Sequence, residues 1–278
     1  MMLAKGAVSM LPWVQEGNTM RYHIDTIPVW DAMKLDGECF LCALRRKIEL
    51  NEVERYLGAS VMEPDVRLQV NEKGFCKHHH TMMYAQSNRL GHALMLHTHL
   101  KETMERSEKP FAALRKAAQA YSAAPLTDKL TGKAAQARKE VETLADSLVK
   151  MADTCVLCDS MEENMRRYIH TFFHLYRTDT EFRRRLETCK GLCMPDAAML
   201  IRYAPEELPG KEVAGFVEMI LSLQEMNMAR MEGDIAWFIK KFDYRFDAEP
   251  WKDSKDAVER TANKLRGWCV GQEPNPKE

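Results

Sequence analysis

Eight cysteines stand in this 278-residue chain, and four of them form two C-x-x-C pairs, Cys39 with Cys42 and Cys155 with Cys158. Clustered spacing of this kind points to metal ligation rather than to a disulfide scaffold. Cys39, Cys42, Cys76 and His79 make a C-x2-C, C-x2-H set, and three soft thiolates with one imidazole suit tetrahedral zinc. Gly74, ahead of Cys76, can take the positive φ of a tight knuckle. The pair that follows then lies at a helix start, where free amide groups and the helix dipole favour thiolate. The expected arrangement is treble-clef-like.

Further along, Cys155, Cys158 and Cys193 supply a second set, with Asp196 standing where His79 stands in the first. Asp196 can ligate zinc, and Cys189, one helical turn before Cys193, is the alternative fourth ligand. Three ligands plus water would instead make an open, catalytic type of site. Three Cys with an Asp or His can also hold an iron–sulfur cluster, so zinc and iron–sulfur both stand as cofactor expectations.

The elements that must position these residues repeat. Cys76 falls 34 residues after Cys42 inside Gly74-Phe75-Cys76, and Cys193 falls 35 residues after Cys158 inside Gly191-Leu192-Cys193. Such self-similarity marks a duplicated supersecondary unit. The reading is a first module over 20–122, a linker over 123–133 with Pro125 and Gly132, and a second module over 134–270. A poorly ordered extension over 1–19 and a polar tail over 271–278 flank them.

Apolar residues recur every three or four positions, as in Leu41, Leu44 and Ile48 or in Met165, Ile169, Phe172 and Phe173, and strand signals are almost absent. The longest helices are expected over 90–107, 112–123, 132–152, 160–177 and 213–242, with Ser254 capping a last one through 265. The fold class is therefore all-α, a helical bundle of two pseudo-repeated zinc-knuckle modules.

Lys plus Arg total 40 against 41 Asp plus Glu, a net charge of -1 that argues against nucleic acid as partner. The triplet Arg183-Arg184-Arg185 is interleaved with Glu181 and Glu187 and reads as a paired, solvated face. No apolar run approaches the roughly 18 residues of a membrane span, and the first residues do not read as a secretory signal. The expected location is cytoplasmic, where thiols stay reduced. His92, His99 and Glu102, and likewise Glu163, His170 and His174, share helix faces, but ordinary hydrogen bonding is the expectation for them. No P-loop, G-x-G-x-x-G, G-x-S-x-G or H-E-x-x-H occurs.

Three phrases carry a resemblance: Ile24-Asp25-Thr26-Ile27-Pro28-Val29-Trp30-Asp31-Ala32, the block from Gly37-Glu38-Cys39 through Met62-Glu63-Pro64-Asp65 to Gly74-Phe75-Cys76, and Trp237-Phe238-Ile239-Lys240-Lys241-Phe242-Asp243-Tyr244-Arg245. From about Met20 to Leu265 the chain resembles a bacterial family of unknown function found mainly in anaerobic Gram-positive organisms. The resemblance implies Cys39, Cys42, Cys76, His79, Cys155, Cys158 and Cys193 as ligands, while Asp196 departs from the His expected there. It implies no reaction. The functional expectation is a zinc-stabilised binding or scaffold protein for a protein or small-molecule partner. The alternative is a metal-dependent enzyme or thiol redox sensor using the imperfect second site, with Cys189 as its thiol.

Overall fold

A computed structural model describes residues 13–124 and 132–271. Its elements are α1 (Trp13–Lys34), α2 (Phe40–Leu57), α3 (Pro64–Lys73), α4 (Lys77–Ala85), α5 (Arg89–Ala123), α6 (Lys133–Ala152), α7 (Val156–Thr178), α8 (Thr180–Thr188), α9 (Met194–Glu207), α10 (Gly210–Lys240) and α11 (Ala257–Arg266), with short 3-10 turns between some of them. The all-α expectation holds among the described residues. Of the expected extension, 1–12 lie outside the described residues and 13–19 belong to α1. Most of the expected linker and tail, 125–131 and 272–278, also lies outside them.

Two compact units divide the chain, and they are not its sequential halves. One takes the described residues up to Ile48 together with those from Glu163 onward, and the other is Glu49–Glu162. The divisions fall inside α2 and α7.

The unit over Glu49–Glu162 buries Val53, Tyr56 and Leu57 of α2, Val66 and Val70 of α3, Phe75, Met83 of α4, Met95 of α5 and Leu157 of α7 in one cluster. Each large side chain so buried contributes about 1.5–3 kcal/mol. Helix α5 packs along α6 and against α3. It runs unbroken through Pro110, where the sequence reading placed a gap between two helices. The lost N–H bond and ring crowding that usually break a helix are outweighed by packing along its length. The buried Ser107 hydroxyl also donates to the Thr103 carbonyl at 2.6 Å in the turn before the proline.

In the other unit the core is aromatic. Phe172 meets Phe173 at 5.2 Å and Phe182 at 5.6 Å between ring centroids, Phe173 meets Phe216 at 5.1 Å, and all four are buried. The edge-on contacts of Phe172 with Phe173 and Phe182 add to the area term. Helix α10 packs on α9 and α11. The last helix starts at Ala257, not at Ser254, whose hydroxyl is spent on the Trp251 carbonyl at 2.6 Å within a 3-10 turn.

Candidate metal centres

Both C-x-x-C pairs sit where a loop becomes a helix. Cys39 immediately precedes α2 and its carbonyl accepts from Ala43 N; Cys155 immediately precedes α7 and its carbonyl accepts from Asp159 N. Cys76 is the N-cap of α4 and Cys193 the N-cap of α9, so residues three further on, His79 and Asp196, turn back beside them in the first helical turn. Two residues ahead of each N-cap stands a glycine in left-handed backbone, Gly74 at φ 62° and Gly191 at φ 79°. A Cβ at Gly74 would fall 2.4 Å from His99 Nε2, and one at Gly191 would fall 2.9 Å from Gln224 Oε1. Both positions therefore require glycine for conformation and for space.

These four half-sites meet crosswise. The structure brings together all eight predicted residues, but Cys39 and Cys42 meet Cys193 and Asp196, while Cys76 and His79 meet Cys155 and Cys158. The expected grouping of each C-x-x-C with the next Cys phrase along the chain does not form. Within-pair spacing is fixed locally, whereas the choice of partner is fixed by how the helices pack.

In the first centre Asp196 Oδ2 lies 3.2 Å from Cys39 Sγ, 3.5 Å from Cys42 Sγ and 3.1 Å from Cys193 Sγ, and Cys42 Sγ lies 3.7 Å from Cys193 Sγ. In the second, His79 Nδ1 lies 3.3 Å from Cys76 Sγ, 3.2 Å from Cys155 Sγ and 3.5 Å from Cys158 Sγ, and Cys76 Sγ lies 3.8 Å from Cys158 Sγ. A tetrahedron around zinc, with Zn–S about 2.3 Å and Zn–N or Zn–O about 2.0–2.1 Å, has edges of about 3.8 Å between sulfurs and about 3.5 Å between sulfur and N or O. The four distances in each cluster lie within about 0.4 Å of those edges. Three thiols around one carboxylate oxygen are also more donors than a hydrogen-bond scheme would need, so this donor set fits a single cation.

Electrostatics agree with the geometry. Burial pushes the Cys39 thiol pKa well up, hydrogen bonding among neighbouring thiols raises those of Cys42 and Cys193, and the Asp196 charge adds to all three. Without a cation these groups are held as thiols. In the second centre burial opposes charge on both His79 and Cys155, yet their hydrogen bond prevails and sets His79 at about 10 and Cys155 at about 6. The Cys158 thiol is pushed up, by burial and by the charge on Cys155.

Supporting groups invisible to motif reading hold the first centre. Arg45 donates to the free oxygen of Asp196, Nη2 to Oδ1 at 2.8 Å, which leaves Oδ2 facing the sulfurs. Trp268 N donates to Cys42 Sγ at 3.4 Å from the turn at Gly267, whose φ is 83°. Lys264, only 1% exposed, donates to the carbonyls of Glu38 at 2.8 Å and Lys190 at 2.6 Å, tying the loop before Cys39 to the loop before Cys193. It also lies 3.0 Å from the Glu38 carboxylate, which Arg230 grips with two bonds. Burial opposes the Glu38 charge, but Arg230 and Lys264 overcome it and hold the group at about 2. The positive φ of Gly267 had a sequence signal in Arg266-Gly267-Trp268; Arg45 and Lys264 had none.

Cys189 stands outside both clusters, its sulfur accepting from Gly191 N at 3.3 Å, whereas Asp196 lies among the thiols of the first. The helix-face histidines form no metal group among the described residues: His92 bonds His80 at 3.1 Å, His99 bonds the Asn71 carbonyl at 2.9 Å, and His170 pairs with Glu207. The arginine triplet is spent internally, Arg183 on the Tyr176 carbonyl, Arg184 on Glu181 and Arg185 on the Met33 carbonyl. No helix among the described residues is long and apolar enough to cross a membrane.

Residues 20–272 match a family of unknown function, DUF6062, and the chain belongs to that family. No curated protein and no solved structure matches it.

Proposed function

We propose that the chain is a zinc protein with two closed four-ligand centres that fix helix starts, and that it serves as a binding or scaffold protein. The carrying observation is the near-tetrahedral spacing of Cys39, Cys42, Cys193 and Asp196, and of Cys76, His79, Cys155 and Cys158. Each set offers four protein donors, the count of a structural rather than a catalytic zinc site. Donor atoms all within 4.8 Å of one another support a single ion in preference to the larger inorganic core of an iron–sulfur cluster. On this reading the duplicated halves exchange knuckles, each C-x-x-C closing on the other copy's Cys phrase. Elemental analysis of protein purified without a His-tag, with a visible spectrum, tests it. About two equivalents of zinc and no visible absorption are expected, while a brown protein or one without metal overturns the reading.

One observation supports a second reading, a metal-dependent small-molecule site. A cavity of about 290 Å³ reaches Cys39 and Cys42, walled by Glu38, Lys190, Arg260, Asn263 and Trp268 among others. A ligand there would contact the sulfurs of the first centre. Direct titration of small zwitterions and anions, read by Trp268 fluorescence, tests this reading, and a flat response to every one of them overturns it.

A further inference from the structure

We infer a third metal position, sharing His79 with the second centre and completed by Glu49 and His78. This inference rests on the two-zinc reading above and adds a solvent-open ion to it.

His79 carries the argument. Its Nδ1 faces the three sulfurs, which commits that nitrogen to the cysteine centre. Its Nε2 is buried and makes no hydrogen bond, on a side chain only 2% exposed. A buried ring nitrogen served by only one long contact leaves its bonding incomplete. The nearest candidate is Glu49 Oε1, at 3.5 Å, beyond ordinary hydrogen-bond length but close to the donor–donor edge of a site around one ion. His78 Nε2 reaches the same carboxylate oxygen at 2.6 Å, a hydrogen bond that an ion held by both groups replaces, since N and O donors around one ion stand about 3.3 Å apart. Glu49, His78 and His79 thus present two imidazoles and a carboxylate to one point.

Charge favours a second cation there. Three thiolates outweigh a divalent ion by one negative charge, and the Glu49 carboxylate adds another. The second ion takes the Nε2 lone pair of His79, and the Nε2 proton leaves to solvent, so the imidazole bridges two ions as imidazolate. His78, 61% exposed, puts this position at the surface, with coordination places left for water. Two nitrogens and one oxygen with open places suit a divalent first-row transition ion such as iron(II), cobalt(II) or zinc. The third ion is therefore exchangeable, unlike the two enclosed by cysteines.

The test is titration of the full chain, already holding two equivalents of zinc, with cobalt(II). A third equivalent is expected, with ligand-field absorption but no thiolate-to-cobalt charge-transfer band, and with loss of any His79 Nε2 proton signal in the imidazole NMR spectrum. H78A and E49Q should each weaken this equivalent by at least about tenfold while zinc stays at two. H78A alters an exposed side chain, so it tests the site even if E49Q disturbs folding. No third equivalent, a third equivalent indifferent to both variants, or a persistent Nε2 proton under excess cobalt would overturn the inference and leave the two-zinc reading standing. Absence of zinc from the starting protein would overturn both.

Discussion

Cys39 Sγ and Asp196 Oδ2 lie 3.2 Å apart although 157 residues separate them along the chain. That contact joins the start of α2 to the first turn of α9, and its counterpart joins Cys155, at the start of α7, to His79 of α4. Asp196 is the one carboxylate among the eight clustered side chains, and it is 3% exposed, with Arg45 on its outer oxygen. Asp196→Ala should therefore release about one zinc equivalent and leave the other bound. Asp196→His should retain both, since it restores the donor type found at His79. Metal analysis of the two variants decides the matter, and an unchanged zinc content in Asp196→Ala would count against Asp196 as a ligand.

Removal of metal should destabilise the whole chain rather than a single loop. Structural zinc in small knuckles contributes apparent binding energies of roughly 10–16 kcal/mol, part of which becomes folding energy. Because 1 kcal/mol moves the midpoint of a chain this size by about 2–4 °C, stripping both ions should lower Tm by at least about 10 °C. Calorimetry before and after dialysis against a strong chelator measures this, and readdition of zinc should restore the original transition.

Lys264 behaves as an internal brace. Its ammonium is buried against two carbonyls and the Glu38 carboxylate, so Lys264→Met leaves the two carbonyls without their donor and removes one of the three cations on Glu38, which keeps Arg230 and Arg260. Loss of one partner from a buried pair costs about 3–5 kcal/mol. Denaturant unfolding should report a drop of that size. A change below about 1 kcal/mol would mean that Arg230 and Arg260 satisfy Glu38 alone.

His92 supplies a pH dependence separate from the metal ligands. Burial, with the nearby Arg89 charge, lowers its pKa below the ordinary 6.5, and it stacks on His80 with a shared hydrogen bond. A depressed folded-state value means that the unfolded chain takes up the proton first. The stability His92 contributes is thus complete above about pH 6.5 and is lost as the pH falls through its folded value. The stability difference between wild type and His92→Asn should shrink on acidification from pH 7.5 to 5.5; a constant difference would contradict this.

The pairing of residues within each half-site was legible in the sequence because it is fixed by local spacing. A C-x-x-C needs only one helix start, and Cys76 with His79, or Cys193 with Asp196, only a first turn after a glycine. Pairing was not legible, because either partition satisfies the same ligand rule, and the choice rests on non-local packing such as that of Phe172 on Phe182 and Tyr56 on Phe75. Pro110 misled the reading of α5 for a related reason: the residue breaks an isolated helix, and only its packing on α6 and α3 lets α5 continue. Arg45, Glu49 and Lys264 look like ordinary surface charges until the fold buries or aims them.

The crosswise pairing is tested most directly by zinc stoichiometry in double Cys→Ser variants. Cys42→Ser with Cys193→Ser removes two ligands of one centre, so about one zinc equivalent should remain; Cys42→Ser with Cys76→Ser touches both centres, so about none should remain at matched chelator strength. The opposite order, with the Cys42 and Cys76 pair keeping one equivalent and the Cys42 and Cys193 pair keeping none, would contradict the account and restore grouping along the chain.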